Sequence, residues 1–159
     1  MDAESSQALA RLLRKQRIAA LGTLSDAAPL VSMVLFVAAA DLTSFCIHVS
    51  RLAQHTQALL QDPRVSLLVA EPDTGEHDPQ MLARVSIRGN ATEVPPTAVD
   101  YEAAKAAYLE KFPRSAVNFG LGDFMLWRIT PSGARYVGGF GRIFDLAAAD
   151  FRHIASVTR

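Results

Sequence analysis

Cysteine occurs once in the 159 residues, at Cys46. A single thiol excludes an internal disulfide and a zinc site built from several cysteines, and it is typical of the reducing cytosol. The four histidines are scattered, with no pair at helical i, i+4 spacing and no His-Glu-x-x-His motif. The sequence therefore predicts no metal site and a cytoplasmic protein.

The chain also lacks a charge excess and a long apolar run. Lys plus Arg and Asp plus Glu both number 16, so the formal net charge is zero. Nucleic-acid-binding domains usually show a basic excess or stripe. The longest apolar run, 29–40, is interrupted by Ser32 and is too short to span a bilayer. We therefore expect neither a nucleic-acid nor a membrane partner. The N-terminus also lacks the basic region followed by an apolar region that is typical of a signal peptide.

What the sequence does contain is a set of strand patterns. Half of the residues are hydrophobic, and the length fits one domain, 1–159, with helical segments at its ends (1–16 and 146–159). Strands are predicted over 18–25, 30–38, 44–49, 64–71, 81–94, 123–130 and 134–137. The run 30–38 is almost continuously apolar, which predicts burial on both faces. This pattern favours a mainly β, closed or partly closed barrel.

Helices and turns are predicted between these strands. The helices cover 5–17, 52–61, 98–112 and 145–157, the first with Ser5 or Ser6 as its N-cap. The segment 72–79 consists of turn-formers and charges and predicts an exposed loop, and 131–133 predicts a turn between the last two strands. Gly89 is expected to mark a bulge or a bend in a long strand.

The most informative motif lies where a strand is predicted to pass into a helix. Ser50 is placed to cap that helix, and the amides of a helix N-terminus attract anions. Arg51 adds a planar guanidinium suited to phosphate, and His55 follows about one turn later. An ordinary capped surface helix with a solvated arginine explains the same residues.

Two other segments offer polar groups. Arg84, Ser86 and Arg88 alternate on one face of a predicted strand, where they could donate to a phosphate or a flavin, or simply face solvent. Ser32, within Val31-Ser-Met-Val34, interrupts an apolar strand, where a flat heterocycle could lie or a buried serine could bond a carbonyl. The glycines at 138–141 lack the spacing of a dinucleotide-binding loop.

Three signatures in this order resemble a known family. They are Ser50-Arg-Leu-Ala-x-His-Thr56, Asp62-Pro-Arg-Val-Ser-Leu-Leu68, and Asp123-Phe-x-Leu-Trp-Arg-Ile-x-Pro131 leading to Val137-Gly-Gly-Phe-Gly141. Together they resemble the pyridoxamine 5′-phosphate oxidase-like FMN-binding split-barrel proteins, in the branch of the haem-utilisation HugZ-like proteins. The similarity runs from about residue 17 to residue 145.

The resemblance implies a six-stranded split barrel that pairs as a homodimer with two interfacial flavin sites. It assigns the FMN phosphate to Ser50 and Arg51, although Leu52 replaces the lysine that follows in the oxidases. It further places the flavin ring against Ser32, Met33 and Val34, with Arg84 near the ring or the ribityl chain. The oxidases' C-terminal substrate-binding segment is not recognised.

Haem-degrading relatives imply a different cofactor site. They carry an axial histidine near the C-terminus, for which His153 is the candidate, and a partner aspartate that corresponds to Asp123. The sequence favours an FMN-dependent oxidoreductase, and the alternatives are a haem-binding or haem-degrading protein and a cofactor-free regulatory barrel. No catalytic residue or substrate is identified. The apolar stretch containing Phe124, Leu126, Trp127, Val137 and Phe140 is a further reason to expect a homodimer.

Overall fold

A curled antiparallel sheet forms the centre of the computed structural model, which describes residues 1–139 and 141–157. Its strands are β1 (Ile18–Ser25), β2 (Ala28–Leu35), β3 (Val37–Ala38), β4 (Phe45–Ser50), β5 (Arg64–Ala70), β6 (Arg84–Glu93), β7 (Phe124–Val137) and β8 (Ile143–Ala147). The helices are α1 (Ala3–Lys15), α2 (Gln54–Gln61), α3 (Tyr101–Lys111), α4 (Ala116–Phe119) and α5 (Asp150–Ser156), with 3₁₀ turns at Pro79–Met81 and Pro113–Ser115.

The strand order closes the sheet into a barrel. Neighbouring strands follow the order β2-β1-β5-β6-β7-β4-β3. Only Phe36 separates β2 from β3, so the two ends of this order are one bent segment and the ring has six members. The short β8 pairs with β7 beside this ring. The predicted six-stranded split barrel is confirmed, and the eight strands of the described residues reflect the bent segment and β8.

Alternation along the strands fills the barrel interior. Phe45 and Ile47 of β4 are fully buried, as are Leu21 of β1, Leu67 of β5 and Ile87 of β6. Each such side chain contributes about 1.5–3 kcal/mol through burial. The inward positions were visible in the sequence because the period of two places every second residue on one face.

The second strand differs from its prediction. Residues 30–38 were expected to be buried on both faces, yet in β2 the side chains of Val31 and Met33 are 69% and 68% exposed. One face of β2 packs on the barrel, as Val34 does with 3% exposure. Among the described residues, no helix covers the other face, on which Val31 and Met33 lie. The continuous apolar run therefore marks an uncovered surface instead of a doubly buried strand.

The last predicted hairpin is wrong, because β7 runs unbroken from Phe124 to Val137. Pro131 lies opposite Gly89, where the β6–β7 register shifts. This bulge removes the need for an amide hydrogen at the proline, so no turn forms at 131–133. A Cβ on Gly89 would lie 2.3 Å from the Thr130 carbonyl oxygen, so only glycine fits there. The predicted bulge at Gly89 is confirmed.

The terminal helices begin at other residues than predicted. In α1 the N-cap is Asp2, whose Oδ1 accepts the Ser5 amide at 2.8 Å, so neither Ser5 nor Ser6 is the cap. At the C-terminus, residues 143–147 join the sheet as β8, and α5 starts only at Asp150. Phe151 of α5 packs edge-on against Phe45, with 6.2 Å between the ring centroids. Within the described ranges, no helix is long and apolar enough to cross a membrane.

Candidate functional site

The Ser50-Arg51 motif forms a turn and does not open a helix. The helix α2 begins two residues later than predicted, at Gln54, with Ala53 as an N-cap that makes no side-chain bond. The Ser50 hydroxyl instead accepts the Leu52 amide at 3.1 Å and donates to Oδ2 of Asp123 at 2.7 Å. The prediction that Ser50 caps the helix is therefore wrong. Its side chain fixes the turn between β4 and the helix.

An aspartate consequently lies directly beside the residues predicted to hold a phosphate. The Arg51 amide donates to the Asp123 carbonyl oxygen at 2.6 Å, so backbone and side chain both tie this turn to the residue before β7. The Arg51 and Leu52 side chains are exposed. A phosphate here would meet one guanidinium and one carboxylate, and a carboxylate repels a second anion. These residues fit FMN poorly.

His55 lies in the first turn of α2 and is half-buried. Its Nε2 is buried without a hydrogen-bond partner among the described residues, as is Oγ1 of the adjacent Thr56. Burial lowers the pKa of His55 below its ordinary 6.5, so the imidazole is neutral near pH 7. A neutral ring adds no charge to hold the predicted phosphate.

Arg84 is not brought to the same place as Ser50. Its Nη1 donates to the carbonyl oxygens of Gln80 and Leu82 at 3.1 and 3.0 Å, so the guanidinium fixes the turn before β6. Arg84 pairs with Val137 at one end of β7, and Ser50 pairs with Phe124 at the other. Thirteen positions of strand separate those partners, roughly 40 Å along β7. Arg84 and Ser50 therefore cannot contact one small ligand within one chain.

Two of the three residues predicted to face a flavin ring border a cavity. Ser32 and Met33 line a groove of about 520 Å³ on the outside of the barrel, whereas Val34 is buried in the core. Met33 lies beside Ala20, which lies beside Leu68, so three adjacent strands contribute. We call this the apolar groove, lined by Gln16, Ile18, Ala19, Ala20, Val31, Ser32, Met33, Leu68, Ala70, Glu71 and Pro72.

His153 and Asp123, the predicted haem pair, lie far apart in one chain. His153 is exposed on α5, two residues after Phe151, which packs on Phe45. Asp123 bonds Ser50 at the opposite end of the same strand, β4. Five residues of strand span roughly 17 Å. The structure does not bring these two side chains together within one chain.

Sequence reasoning missed an aromatic cluster around His48. The His48 ring stacks on Phe119 with centroids 3.7 Å apart, and Phe124 and Tyr108 lie within 5.2 and 5.7 Å. Burial lowers the pKa of His48 to about 4, so its ring is neutral. The alternation of residues in the strand predicted that His48 lies on a polar face. The only sequence signal for its burial was the series of aromatic residues in 108–124, three of which pack on it. This cluster attaches α3 and α4 to β4.

Metal ligands do not converge in the parts of the chain that the structure describes. No group of three or more His, Cys, Asp or Glu side chains there could hold an ion. The thiol of Cys46 is half-buried, and burial raises its pKa. Among the described residues, the candidate site therefore offers binding by surface shape and by a few charges.

Comparison with known proteins assigns the family. The sequence profile described as pyridoxamine 5′-phosphate oxidase matches residues 5–138, which include most of α1 and the whole six-stranded ring. The chain belongs to the pyridoxamine 5′-phosphate oxidase family. Its members share the barrel, and the recognised resemblance is thereby confirmed at the level of the family.

Two proteins similar to this pyridoxamine 5′-phosphate oxidase family member are named for haem. The chloroplastic non-canonical heme oxygenase HOZ of Arabidopsis thaliana is 38% identical over 124 residues, which are 77% of this chain and 36% of that protein. A heme binding protein from Mycobacterium smegmatis superposes with a TM-score of 0.81 at 28% identity, over 95% of this chain and 60% of that one. The chain thus spans less than two thirds of either relative.

A more distant solved structure shows the shared fold. HutZ, the heme storage protein of Vibrio cholerae, has a TM-score of 0.70 at 21% identity, over 87% of this chain and 92% of that chain. A chain of similar extent is therefore built on the same barrel. The Gly-Gly-Phe-Gly element of the resemblance falls partly on Phe140, which lies outside the described residues.

Proposed function

We propose that this protein binds haem, with the porphyrin face against the apolar groove. Its function would then resemble that of the haem-binding and haem-degrading proteins to which it is similar. The observation that carries the proposal is the groove itself. Met33, Val31 and Leu68 expose apolar side chains from adjacent strands around a cavity of about 520 Å³, a size typical of cofactor sites. Haem, when bound, would supply the iron chemistry.

The contrast between the apolar groove and the Ser50-Arg51 turn favours haem over FMN. A flavin nucleotide needs a polar rim and an anion site, whereas the groove lining is apolar at most positions and the Ser50 hydroxyl is bonded to the Asp123 carboxylate. The similarity to a plant heme oxygenase at 38% identity supports the same choice. The role of this chain is to orient the macrocycle and to exclude water from one face of it.

Titration with haemin tests the proposal. The purified protein should shift and sharpen the Soret band at micromolar haemin, and Met33→Glu should weaken binding at least tenfold because a carboxylate would be desolvated under the ring. Leu121→Glu is the matched control, since Leu121 is also exposed but lies before β7, away from the groove. No Soret shift with the wild-type protein, or equal loss in both variants, would refute the proposed site.

The axial ligand is a separate question. His153 is exposed and does not line the groove within its own chain, yet a neutral imidazole is a common ligand of haem iron. We expect His153→Ala to move the Soret maximum and to weaken haemin binding. An unchanged spectrum in this variant would exclude His153 and leave the groove proposal standing.

FMN binding is the second candidate, favoured by the exposed Arg51 beside α2. An FMN-dependent oxidoreductase would use this guanidinium for the phosphate. Arg51→Ala should then weaken FMN binding by about tenfold to a hundredfold, since a hydrogen bond to a charged group contributes about 1.5–3 kcal/mol. Riboflavin lacks the phosphate and should bind both proteins alike, which fluorescence quenching measures. If the wild-type protein binds FMN no better than riboflavin, Arg51 holds no phosphate.

We further propose a homodimer, with different residues from those first considered. Leu126 and Trp127 are 2% and 4% exposed in the single chain, so they belong to its core and cannot form an interface. The exposed apolar residues Val31 and Ile18 lie on β2 and β1 beside the groove. A second copy placed there would cover the open side of a bound macrocycle.

A further inference from the structure

A second cavity adjoins the apolar groove and carries positive charge. It measures about 460 Å³ and lies between the outer side of α1 and the loop that follows β5. Arg11 and Lys15 of α1 line it on one side, and His77 and Thr74 of the loop line it on the other. We call it the cationic cleft.

The two cavities are neighbours that share part of their lining, and together they are called the combined depression. Gln16, Glu71 and Pro72 line both the apolar groove and the cationic cleft. The apolar part extends from these three residues toward Met33 and Leu68, and the charged part extends from them toward Arg11. A ligand long enough to cross this shared boundary would therefore meet an apolar surface at one end and cations at the other.

The charge balance of the cleft favours an anion. Its ionised side chains are two cations, Arg11 and Lys15, and one carboxylate, Glu71. One oxygen of Glu71 already accepts the Ala83 amide at 3.0 Å, which commits part of that carboxylate to the loop. Lys15, in the last turn of α1, complements the helix dipole. Arg11 lies one turn earlier, too far from the end of α1 for the helix dipole to explain its charge.

We propose that the combined depression takes an amphipathic carboxylate ligand, with its apolar body in the apolar groove and its carboxylate at Arg11 and Lys15. The inference rests on the proposed haem function, and it assigns the haem propionates to the cationic cleft on α1 and not to the Ser50-Arg51 turn. Arg11 and Lys15 are then positioning residues that set which edge of the macrocycle faces α1. Guanidinium and carboxylate groups pair in a planar, bidentate geometry that fixes orientation.

Haemin and its dimethyl ester, in which both propionates are masked, test the assignment. The variant Arg11→Gln/Lys15→Gln should bind haemin about tenfold more weakly than the wild-type protein and should bind the ester as the wild-type protein does. The control Arg114→Gln/Arg152→Gln removes the same charge from exposed positions that do not line the cleft. Soret titrations at low salt measure all three proteins.

Each outcome decides between the two proposals. If the cleft variant and the control both bind haemin tightly, the cleft assignment is overturned and the proposal of haem binding stands. Absence of haemin binding by the wild-type protein would refute the proposed function, and an aromatic sulfonate probe, anilinonaphthalene sulfonate, then tests the depression itself. Fluorescence of that probe that falls in the cleft variant alone supports an amphipathic anion site, and equal or absent fluorescence in all proteins overturns it.

Discussion

Ser50 and Asp123 are 73 positions apart in the chain, and the serine hydroxyl donates a 2.7 Å hydrogen bond to the aspartate carboxylate. The same serine oxygen accepts the Leu52 amide, so one side chain joins the turn after β4 to the residue that precedes β7. The bond explains why a Ser-Arg motif with the sequence of a phosphate-binding turn has a structural role here.

Replacement of Asp123 should therefore lower the stability of the fold. Asp123→Ala removes the acceptor of the Ser50 hydroxyl and should lower the free energy of unfolding by about 1–2 kcal/mol. Asp123→Asn keeps an acceptor oxygen and should cost less than half as much. Urea denaturation of both variants measures the difference. Equal losses would show that charge, and not the hydrogen bond, stabilises the turn.

The bulge between β6 and β7 gives a second prediction. A Cβ at Gly89 would approach the Thr130 carbonyl oxygen to 2.3 Å, and this neighbour is backbone. Gly89→Ala should destabilise the barrel by about 3 kcal/mol, at the upper end of overpacking costs. At Gly22 the nearest atom, Cβ of Ser66, would lie 3.6 Å away, an ordinary contact. Gly22→Ala is the control, and thermal unfolding of it should show little change or a slight gain.

The sequence predicted the barrel because strand alternation is a local signal. Leu21, Ile47 and Leu67 lie inside as their period of two requires. The exposed face of β2 could not be read in the same way, since an apolar run does not state which partner covers it. The unbroken β7 was also hidden, because Pro131 and Gly133 have the composition of a turn and only pairing with the Gly89 bulge makes them a strand.

Candidate site residues were predicted less well than the fold. Ser32 and Met33 do line a cavity, but the role of Ser50 depends on Asp123, which no local pattern connects to it. Arg84 has the right residue type and yet bonds two nearby carbonyl groups. Contacts between distant positions, and not residue types, decide these roles.

Association of two chains gives a third prediction. The wild-type protein should sediment at twice the mass of the chain at micromolar concentration. Val31→Glu, at a side chain 69% exposed in the single chain, should shift it to the monomer because the charge would be buried in an apolar interface. Val117→Glu, which changes a residue 68% exposed on α4, is the matched control. Wild-type protein that sediments as a monomer contradicts the proposed homodimer.

Buried His48 gives the protein a defined acid sensitivity. In the folded state its pKa is lowered to about 4, from an ordinary value of 6.5. Above pH 6.5 the ring is neutral in both the folded and the unfolded state, so its protonation does not change the free energy of unfolding. Between pH 6.5 and pH 4 the unfolded chain binds a proton that the folded one rejects, so the free energy of unfolding falls.

The expected loss through this window is at most about 3 kcal/mol from His48, and His55, whose pKa is also lowered by burial, adds in the same direction. Carboxylates with a lowered pKa, such as Asp2 and Glu4, have ordinary values of 3.8 and 4.5, so their contribution is lost mainly at lower pH. His48→Phe keeps a ring to stack on Phe119 and removes the titrating group. Urea denaturation at pH 7.0 and pH 5.0 should show a smaller drop in this variant than in the wild-type protein. The same drop in both proteins would assign the acid sensitivity to other groups.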